Sequence, residues 1–152
     1  MTSGVSRFLA AIFLAASLAG CASGPKYTEV TGAIPSIKNG QGRVYFLRSS
    51  TFFGGAAQPL IYVNNQAVGR SEPGGFFFVD LPAGPYQAKT TTETVTTLDF
   101  TVYRNETKYI RTGASLGLFF PRMEFTIIHE SMAERELEEL SYTGKPLPTA
   151  SK

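Results

Sequence analysis

Cysteine, histidine and tryptophan are almost absent from this sequence, and each shortage removes a class of protein. The 152 residues include one cysteine, one histidine and no tryptophan. A single cysteine excludes disulfides within the chain and cysteine-based metal clusters, and zinc sites need three or four ligands that are mostly His and Cys. We therefore expect no metal, no cofactor and a fold that depends on its hydrophobic core alone.

Charge is sparse and has no strong sign. Lys and Arg together number 14 and Asp and Glu 12, which gives a formal net charge of +2. The basic residues are dispersed along the chain, whereas nucleic-acid binding normally leaves a basic patch or stripe. The sequence therefore predicts no nucleic-acid partner, and it predicts no small-molecule substrate.

The N-terminal segment has an apolar stretch that is too short to cross a membrane comfortably. Arg7 precedes an apolar run at residues 8–18, whereas a spanning helix needs about 20 apolar residues and a secretory signal about 7–15. The run ends in Leu18, Ala19, Gly20 and Cys21. All four positions resemble the lipobox of bacterial lipoproteins. In that family the cysteine thiol is joined to diacylglycerol, the chain is cut before the cysteine, and the new amino group is acylated.

The lipobox resemblance implies a lipoprotein signal peptide at residues 1–20 and a membrane anchor at Cys21. Two acyl chains are enough for stable anchoring, whereas one is marginal. Ala22 and Ser23 follow the cysteine, whereas an aspartate there marks inner-membrane retention in enteric lipoproteins. The resemblance therefore favours the outer membrane, facing the periplasm. The alternative is that Cys21 is a reduced, buried, small apolar residue.

Composition divides the remaining chain into three parts. Residues 21–41 contain Gly-Pro, Ile-Pro and Asn-Gly pairs without apolar periodicity, which predicts a linker. The lipobox resemblance implies that this segment begins with a lipidated N-terminus. The folded domain is expected at residues 42–130. A short helix and a flexible tail are expected at residues 131–152. Ser131 and Glu134 have the spacing of a capping box, which predicts the start of the helix. The apolar stripe of this helix is expected to be Met132, Leu137 and Leu140.

The domain is predicted to be all-β, a single antiparallel β-sandwich. Short runs rich in Val, Ile, Thr, Tyr and Phe alternate with turn residues, which is typical of sandwiches and barrels. In one run Leu98, Phe100 and Val102 share a face, as the two-residue period of a strand requires. The eight expected strands span residues 43–49, 59–64, 66–70, 75–81, 86–92, 95–103, 108–113 and 123–130.

Two of these strands have apolar residues on both faces. Residues 76–79 place Phe and Val side chains alternately on the two sides, which predicts a central strand. In the first strand, Val44 with Phe46 and Tyr45 with Leu47 are rival inward sets. The inward set of the last strand is expected to be Phe125 and Ile127.

The run from residue 43 resembles a family of bacterial domains of unknown function that are often lipoproteins. Its members open with Arg-x-Tyr-Phe-x-Arg, here Arg43, Tyr45, Phe46 and Arg48, and continue to an aromatic strand closed by a Pro-x-Gly turn, here residues 82–84. The second half is similar to PEGA-type surface domains, which have a prealbumin-like sandwich. The resemblance implies that fold and brings no catalytic residues.

No arrangement of residues favours an enzyme. Residues 113–117 match Gly-x-Ser-x-Gly, but a nucleophile elbow requires a strand-to-helix turn with an acid and a histidine later in the chain. The only histidine, His129, follows too closely for that fold. We interpret Ser115 as a loop residue and His129 as a surface or hydrogen-bonded structural residue. Asp80 and Asp99 are interpreted as turn or solvent-facing carboxylates rather than an acid–base pair.

Two loops carry paired phenylalanines among glycines and small residues. Phe52 and Phe53 lie in one loop, and Phe119 and Phe120 lie in the other. Such side chains either cover the open ends of the sandwich or form an exposed surface that contacts a partner or the bilayer. The sequence thus predicts a lipid-anchored, non-enzymatic envelope protein whose sandwich is an interaction or scaffold module for an envelope protein partner.

The competing class is a lipoprotein that binds cell-wall or surface glycans. In that case exposed tyrosines such as Tyr62 or Tyr103 would stack against sugar rings. The absence of tryptophan argues against this class, because large amphipathic aromatic side chains supply such stacking surfaces.

Overall fold

Two β-sheets pack face to face and form the body of the protein. The structure is a computed structural model that describes residues 22–50, 57–115, 118 and 122–148. In chain order the elements are α1 Tyr27–Val30, a 3-10 turn Thr31–Ala33, β1 Gln41–Arg48, β2 Leu60–Val63, β3 Gln66–Arg70, β4 Gly75–Pro82, β5 Gly84–Thr91, β6 Val95–Val102, β7 Thr107–Ser115, β8 Arg122–Ile128, α2 Glu130–Leu137 and β9 Ser141–Tyr142.

The strand order confirms the all-β sandwich. The larger sheet has the order β8-β7-β1-β4-β9, and the smaller sheet has the order β3-β2-β5-β6. The larger sheet differs from the expected antiparallel pattern, because β1 is parallel to β7 and β4 is parallel to β9. The side-chain period within a strand is the same for both pairing directions. A parallel pair needs a long crossover connection, and here the whole smaller sheet lies between β1 and β7 in the chain.

The phenylalanines of β4 are buried on both faces, as expected of a central strand. β4 lies between β1 and β9, and Phe76 and Phe77 are 0% and 2% exposed. Phe77 stacks on Phe46 between the two sheets, with ring centroids 5.2 Å apart. Phe76 points to the other side and meets Tyr27 edge-on at 5.4 Å. Burial at about 1.5–3 kcal/mol per large apolar side chain is a sufficient reason for this aromatic run.

The protein has an inner core between the sheets and an outer core on the far face of the larger sheet, beneath α1 and α2. Both sets of β1 side chains that were candidates for the inward face are buried, because each set packs into one of these cores. Val44 and Phe46 lie in the inner core, and Tyr45 and Leu47 lie in the outer core. The central strand β1 therefore links the two cores.

The inward set predicted for β6 is confirmed, and the set predicted for β8 is confirmed only in part. Phe100 and Val102 are buried in the inner core, and Leu98 packs against it. Phe125 also packs against the inner core, but Ile127 is 48% exposed. The inward prediction for Ile127 is therefore wrong. Ile127 lies near the end of β8, which is an edge strand of the larger sheet.

The predicted helix is present but is capped by a different residue. His129 has an extended backbone, and its Nδ1 accepts the backbone N–H of Ser131 at 3.3 Å. Ser131 lies inside the first turn, so its interpretation as the N-cap is wrong. Leu137 is buried as expected, whereas Met132 is 41% exposed and Ala133 is buried in its place. Neither helix of the described residues is long and apolar enough to cross a membrane.

The segments before β1 and after α2 are held against the larger sheet and against each other. The sequence predicts a linker at residues 21–41 and a flexible tail after α2. In the structure the N–H of Tyr142 donates to the carbonyl of Pro25 at 2.7 Å, and the N–H of Tyr27 donates to the carbonyl of Leu140 at 3.0 Å. Sequence periodicity cannot detect a one-turn helix or a two-residue strand, because neither completes a period.

Candidate functional site

The carboxyl ends of β1 and β7 lie at one end of the sandwich, because these strands are parallel neighbours. β1 ends at Arg48 and β7 ends at Ser115. The β5–β6 turn reaches the same end, where Glu93 accepts the backbone N–H of Leu118 at 3.0 Å and the Nε–H of Arg122 at 3.4 Å. We call this end the loop end, and its described residues include Ser49, Ser50, Leu60, Arg70, Pro73, Val95, Leu118 and Arg122.

The opposite end of the sandwich consists of tight turns, and we call it the turn end. Asn64 and Asn65 join β2 to β3 there, and both have positive φ angles, as the type I′ turn of a two-residue hairpin requires. The N–H of Asn105 donates to the carbonyl of Gln41 at 2.8 Å, so the start of β1 meets the β6–β7 turn. The turn end is formed by Gly40, Gln41, Asn64, Asn65, Ala83, Tyr103 and Asn105.

The site residues predicted from the sequence lie outside the described residues, but their described neighbours lie at the loop end. The residues concerned are Leu18, Ala19, Gly20 and Cys21 of the lipobox and Phe52, Phe53, Phe119 and Phe120 of the two loops. The first phenylalanine pair follows β1 in the chain, and the second follows β7. The two strands that precede these pairs in the chain therefore finish at the same end of the larger sheet.

Ala22, the first described residue, is fixed to the loop end. Its N–H donates to the carbonyl of Pro73 at 3.0 Å. Gly74 then turns the chain with φ of +72°, a left-handed conformation that favours glycine. A Cβ at Gly75 would lie 3.1 Å from the Cβ of Ala22, so the missing side chain allows this close approach. The residue that follows Cys21 is thus part of the folded body.

Arg48 is the buried centre of the loop end. Its side chain is almost fully enclosed, and its Nη1 donates to the carbonyls of Ala57 at 2.6 Å and Ser71 at 2.9 Å. The hydroxyls of Ser71 and Thr112 are hydrogen-bonded at 2.7 Å. Burial lowers the pKa of the Arg48 guanidinium below its ordinary value, although arginine remains charged in proteins. These hydrogen bonds connect β1, β7 and Ser71, the residue after β3, at the loop end.

A cleft of about 400 Å³ opens beside Arg48 between β1, β7 and α2. The Nε of Arg111 donates to Oε2 of Glu136 at 3.0 Å, and its Nη2 contacts Oε1 of the same carboxylate. The hydroxyl of Ser49 donates to Oε2 of Glu136 at 3.3 Å. These groups bind one another and hold α2 against the sheet, which differs from a nucleophile activated by a base. The cleft is lined by Arg48, Ser49, Arg111, Thr112, Gly113, Ala114 and Glu136.

Comparison with known protein families finds a match at residues 38–121 to the family described as protein of unknown function DUF2846. The match covers more than half of the chain. The chain belongs to this family. No curated protein and no solved structure matches the chain. The expected family of unknown function is thereby confirmed, whereas the likeness to PEGA-type domains stays a resemblance.

The part of the chain that matches DUF2846 runs from just before β1 through β7. Its first strand, β1, has two buried arginines on opposite faces. One is Arg48, described above, and the other is Arg43. Arg43 donates to Asp80 at 2.7 and 2.8 Å, and its guanidinium lies 4.3 Å from the ring centroid of Phe78. Burial opposes the charge of Arg43, but the hydrogen bonds and attraction to Asp80 outweigh it and raise its pKa. Both arginines therefore have structural partners.

The residues considered for catalysis lie apart from one another in the elements of the fold. Ser115 is the last residue of β7, a strand that pairs with β8 instead of entering a helix. His129 caps α2. Asp80 lies on β4 and binds an arginine, whereas Asp99 lies on β6 in the other sheet and accepts a hydrogen bond from Gln87 at 2.8 Å. In the part of the chain that the structure describes, no three His, Cys, Asp or Glu side chains could hold a metal ion together.

The tyrosines of the glycan alternative differ in their surroundings. Tyr103, at the turn end, is 64% exposed. Tyr62 is half-buried, and the ammonium of Lys89 lies 5.8 Å from its ring centroid. An open cleft of about 390 Å³ on the smaller sheet is lined by Asn64, Pro85, Tyr86, Gln87, Asp99, Phe100 and Thr101.

Sequence reasoning missed the roles of Arg48 and Ala22 at the loop end. Arg48 continues the inward alternation of Val44 and Phe46 in β1, and an arginine at an inward position indicates a buried, hydrogen-bonded cation. That signal was available in the sequence. Ala22 gave none, because Ala-Ser-Gly-Pro has the composition of a loop.

Proposed function

We propose that this DUF2846 protein is a lipid-anchored protein of the bacterial envelope whose β-sandwich is a non-enzymatic interaction or scaffold module. The anchor is a covalent lipid on Cys21, and the favoured location is the outer membrane, facing the periplasm. The sandwich holds an envelope protein as its partner. The paired Arg111 and Glu136 of the loop-end cleft hold α2 against the sheet, and this structural role suits a non-enzymatic protein.

The observation that carries the proposal is the hydrogen bond from Ala22 to Pro73. Cleavage before Cys21 would leave this hydrogen bond in place, because Ala22 remains in the mature chain. The lipid would then be attached directly beside the end at which the two phenylalanine-rich segments leave the sheet. A membrane anchor and a contact surface at the same end suit a protein that works at a membrane.

Processing of the precursor tests the anchor. Cells treated with an inhibitor of lipoprotein signal peptidase should accumulate a larger form of the protein, because the signal peptide stays attached. The Cys21→Ala variant is the matched control, and its size should not respond to the inhibitor. An unchanged gel mobility of the natural protein would contradict lipid anchoring.

Crosslinking in intact cells followed by mass spectrometry tests the interaction role. We expect crosslinks to one envelope protein, and we expect the Cys21→Ala variant to lose them because it is not held at the same membrane. Covalent labelling of Ser115 by a fluorophosphonate probe would instead indicate a nucleophilic enzyme and would overturn the non-enzymatic role.

The second candidate function is glycan binding, and the exposed ring of Tyr103 favours it. Retention of the protein on peptidoglycan or capsular glycan would support this candidate if Tyr103→Ala abolished retention. If the natural protein and the Tyr103→Ala variant were both recovered in the unbound fraction, glycan binding would be rejected and the interaction module would remain the proposed function.

A further inference from the structure

Three exposed apolar side chains lie at the loop end of the sandwich, whereas other exposed apolar side chains lie on β8, on α2 and at the turn end. Leu60, Val95 and Leu118 are 38%, 63% and 77% exposed. Glu93 connects the last two, because it lies in the same turn as Val95 and accepts the N–H of Leu118. Apolar side chains grouped on one exposed surface mark a contact site.

Two arginines reach the surface of this end. Arg70 and Arg122 are exposed, and the nearby carboxylates of Glu72 and Glu93 are half-buried, whereas Glu124, two residues further along β8, is exposed. Glu93 accepts hydrogen bonds from Arg122 and from the backbone N–H of Leu118. Guanidinium groups match the geometry of phosphate oxygens. An apolar patch with exposed arginines beside it has the composition of a surface that lies in a headgroup layer.

We infer that the loop end docks on the lipid bilayer and that the protein stands on the membrane in one orientation. This inference rests on the proposed lipid anchor at Cys21. A flexible linker of 20 residues would reach roughly 25 Å and would let the body rotate freely. Here Cys21 is bonded directly to Ala22, which is hydrogen-bonded to Pro73 of the loop end. The lipid therefore holds this end, and no other, against the headgroups.

The orientation determines which residues lie near the bilayer and which lie far from it. β6 starts at the loop end with Val95 and ends at Val102, one residue before Tyr103. At about 3.3 Å per residue, Val95 and Tyr103 are roughly 26 Å apart along the strand. Val95 should contact the lipid interface, and the turn end with Tyr103 should face the aqueous compartment and any protein partner.

Fluorescent labels at these two positions test the orientation. Cys21 is the only cysteine in the chain, and its sulfur is blocked when the lipid is attached, so a label reacts only with an introduced cysteine. Val95→Cys and Tyr103→Cys are matched variants, because Val95 and Tyr103 are 63% and 64% exposed. Each lipidated full-length protein is labelled with an environment-sensitive fluorophore in vesicles of phosphatidylethanolamine and phosphatidylglycerol that contain a lipid-bound quencher.

The label at residue 95 should be quenched several-fold more strongly than the label at residue 103, and its emission should shift to shorter wavelength. Equal quenching at both positions, or stronger quenching at residue 103, would overturn the inference. Shielding of residue 95 only after an envelope protein fraction is added would also overturn it, since a protein would then be the occupant. If Val95→Cys does not fold, Leu118→Cys replaces it with the same expectation.

A separate readout distinguishes failure of the anchor from failure of the orientation. The unsubstituted protein should take up no label, because its single thiol carries lipid. Labelling of that protein would contradict the anchor itself. An unlabelled natural protein together with equal quenching of the two variants would leave the anchor intact and reject only the docked orientation.

Discussion

The guanidinium of Arg48 donates a hydrogen bond of 2.9 Å to the carbonyl oxygen of Ser71 in the interior of the loop end. Arg48 ends β1 in the larger sheet, and Ser71 follows β3 in the smaller sheet. The same Nη1 binds the carbonyl of Ala57, which precedes β2. One buried cation therefore ties both sheets together at the end that carries the proposed membrane contact.

Replacement of Arg48 by methionine should destabilise the protein strongly. The buried carbonyl of Ser71 and the part-buried carbonyl of Ala57 would lose their donor, and an unsatisfied buried group costs about 1–3 kcal/mol. We expect the free energy of unfolding, measured by urea denaturation, to fall by about 3 kcal/mol. Arg104→Met at the exposed turn is the control and should change it by less than about 0.5 kcal/mol. Equal stability of the two variants would refute the structural role of Arg48.

Removal of one partner of the ion pair between Arg43 and Asp80 should lower the free energy of unfolding more than removal of both. Arg43 is 5% exposed and binds both carboxylate oxygens, so Asp80→Ala leaves a buried cation without its counter-charge. We expect a loss of about 2–3 kcal/mol in the free energy of unfolding, which is below the roughly 3–5 kcal/mol of a fully buried pair because Asp80 is partly solvated. The double variant Arg43→Met with Asp80→Leu should recover most of it.

The more exposed pair between Arg122 and Glu93 provides the comparison. Arg122→Gln should cost at most about 1 kcal/mol, because solvent screens an exposed pair. Its arginine side chain is 49% exposed, against 6% for that of Arg43. A similar cost for the two pairs would show that burial does not determine the strength of the Arg43–Asp80 interaction.

The strands could be predicted from the sequence because their signal is local. Phe100 and Val102 repeat every second residue, and each of the eight expected strands is present within a few residues of its predicted bounds. The parallel pairing of β1 with β7 could not be predicted, because the side-chain pattern of a strand does not depend on the direction of its neighbour. β9 is too short to show any period.

The candidate site was predictable only where a motif marks it. Cys21 and the phenylalanine pairs could be found as motifs, but the shared end at which β1 and β7 finish depends on their parallel pairing. The docking of Ala22 depends on a contact with Pro73, about fifty positions later in the chain. Such a contact leaves no trace in local composition, and so the sequence indicates a linker there.

Alkaline pH should destabilise the protein through its buried tyrosines. Burial raises the pKa of Tyr45, Tyr109 and Tyr142 above the ordinary value of about 10. The unfolded chain then loses these protons before the folded chain does, so the stabilisation is complete below about pH 10 and declines as the pH rises toward the folded pKa values. Urea denaturation across this range should show the decline, and Tyr109→Phe should make it shallower. A decline of equal slope in that variant would contradict a raised pKa at Tyr109.

A pair of glycine substitutions tests how tightly the turn end is packed. A Cβ at Gly42, in β1, would lie 2.4 Å from the carbonyl oxygen of Tyr103 and 2.6 Å from Cγ1 of Val102. Because a backbone oxygen cannot move aside like a flexible side chain, Gly42→Ala should lower the free energy of unfolding by about 1–3 kcal/mol. Gly113 in β7 is the control, since a Cβ there would meet nothing within 4 Å. Gly113→Ala should be neutral or stabilise by a few tenths of a kcal/mol, because alanine restricts the unfolded chain. If thermal and urea denaturation gave both variants the same stability, the close approach of β1 to the end of β6 would be refuted.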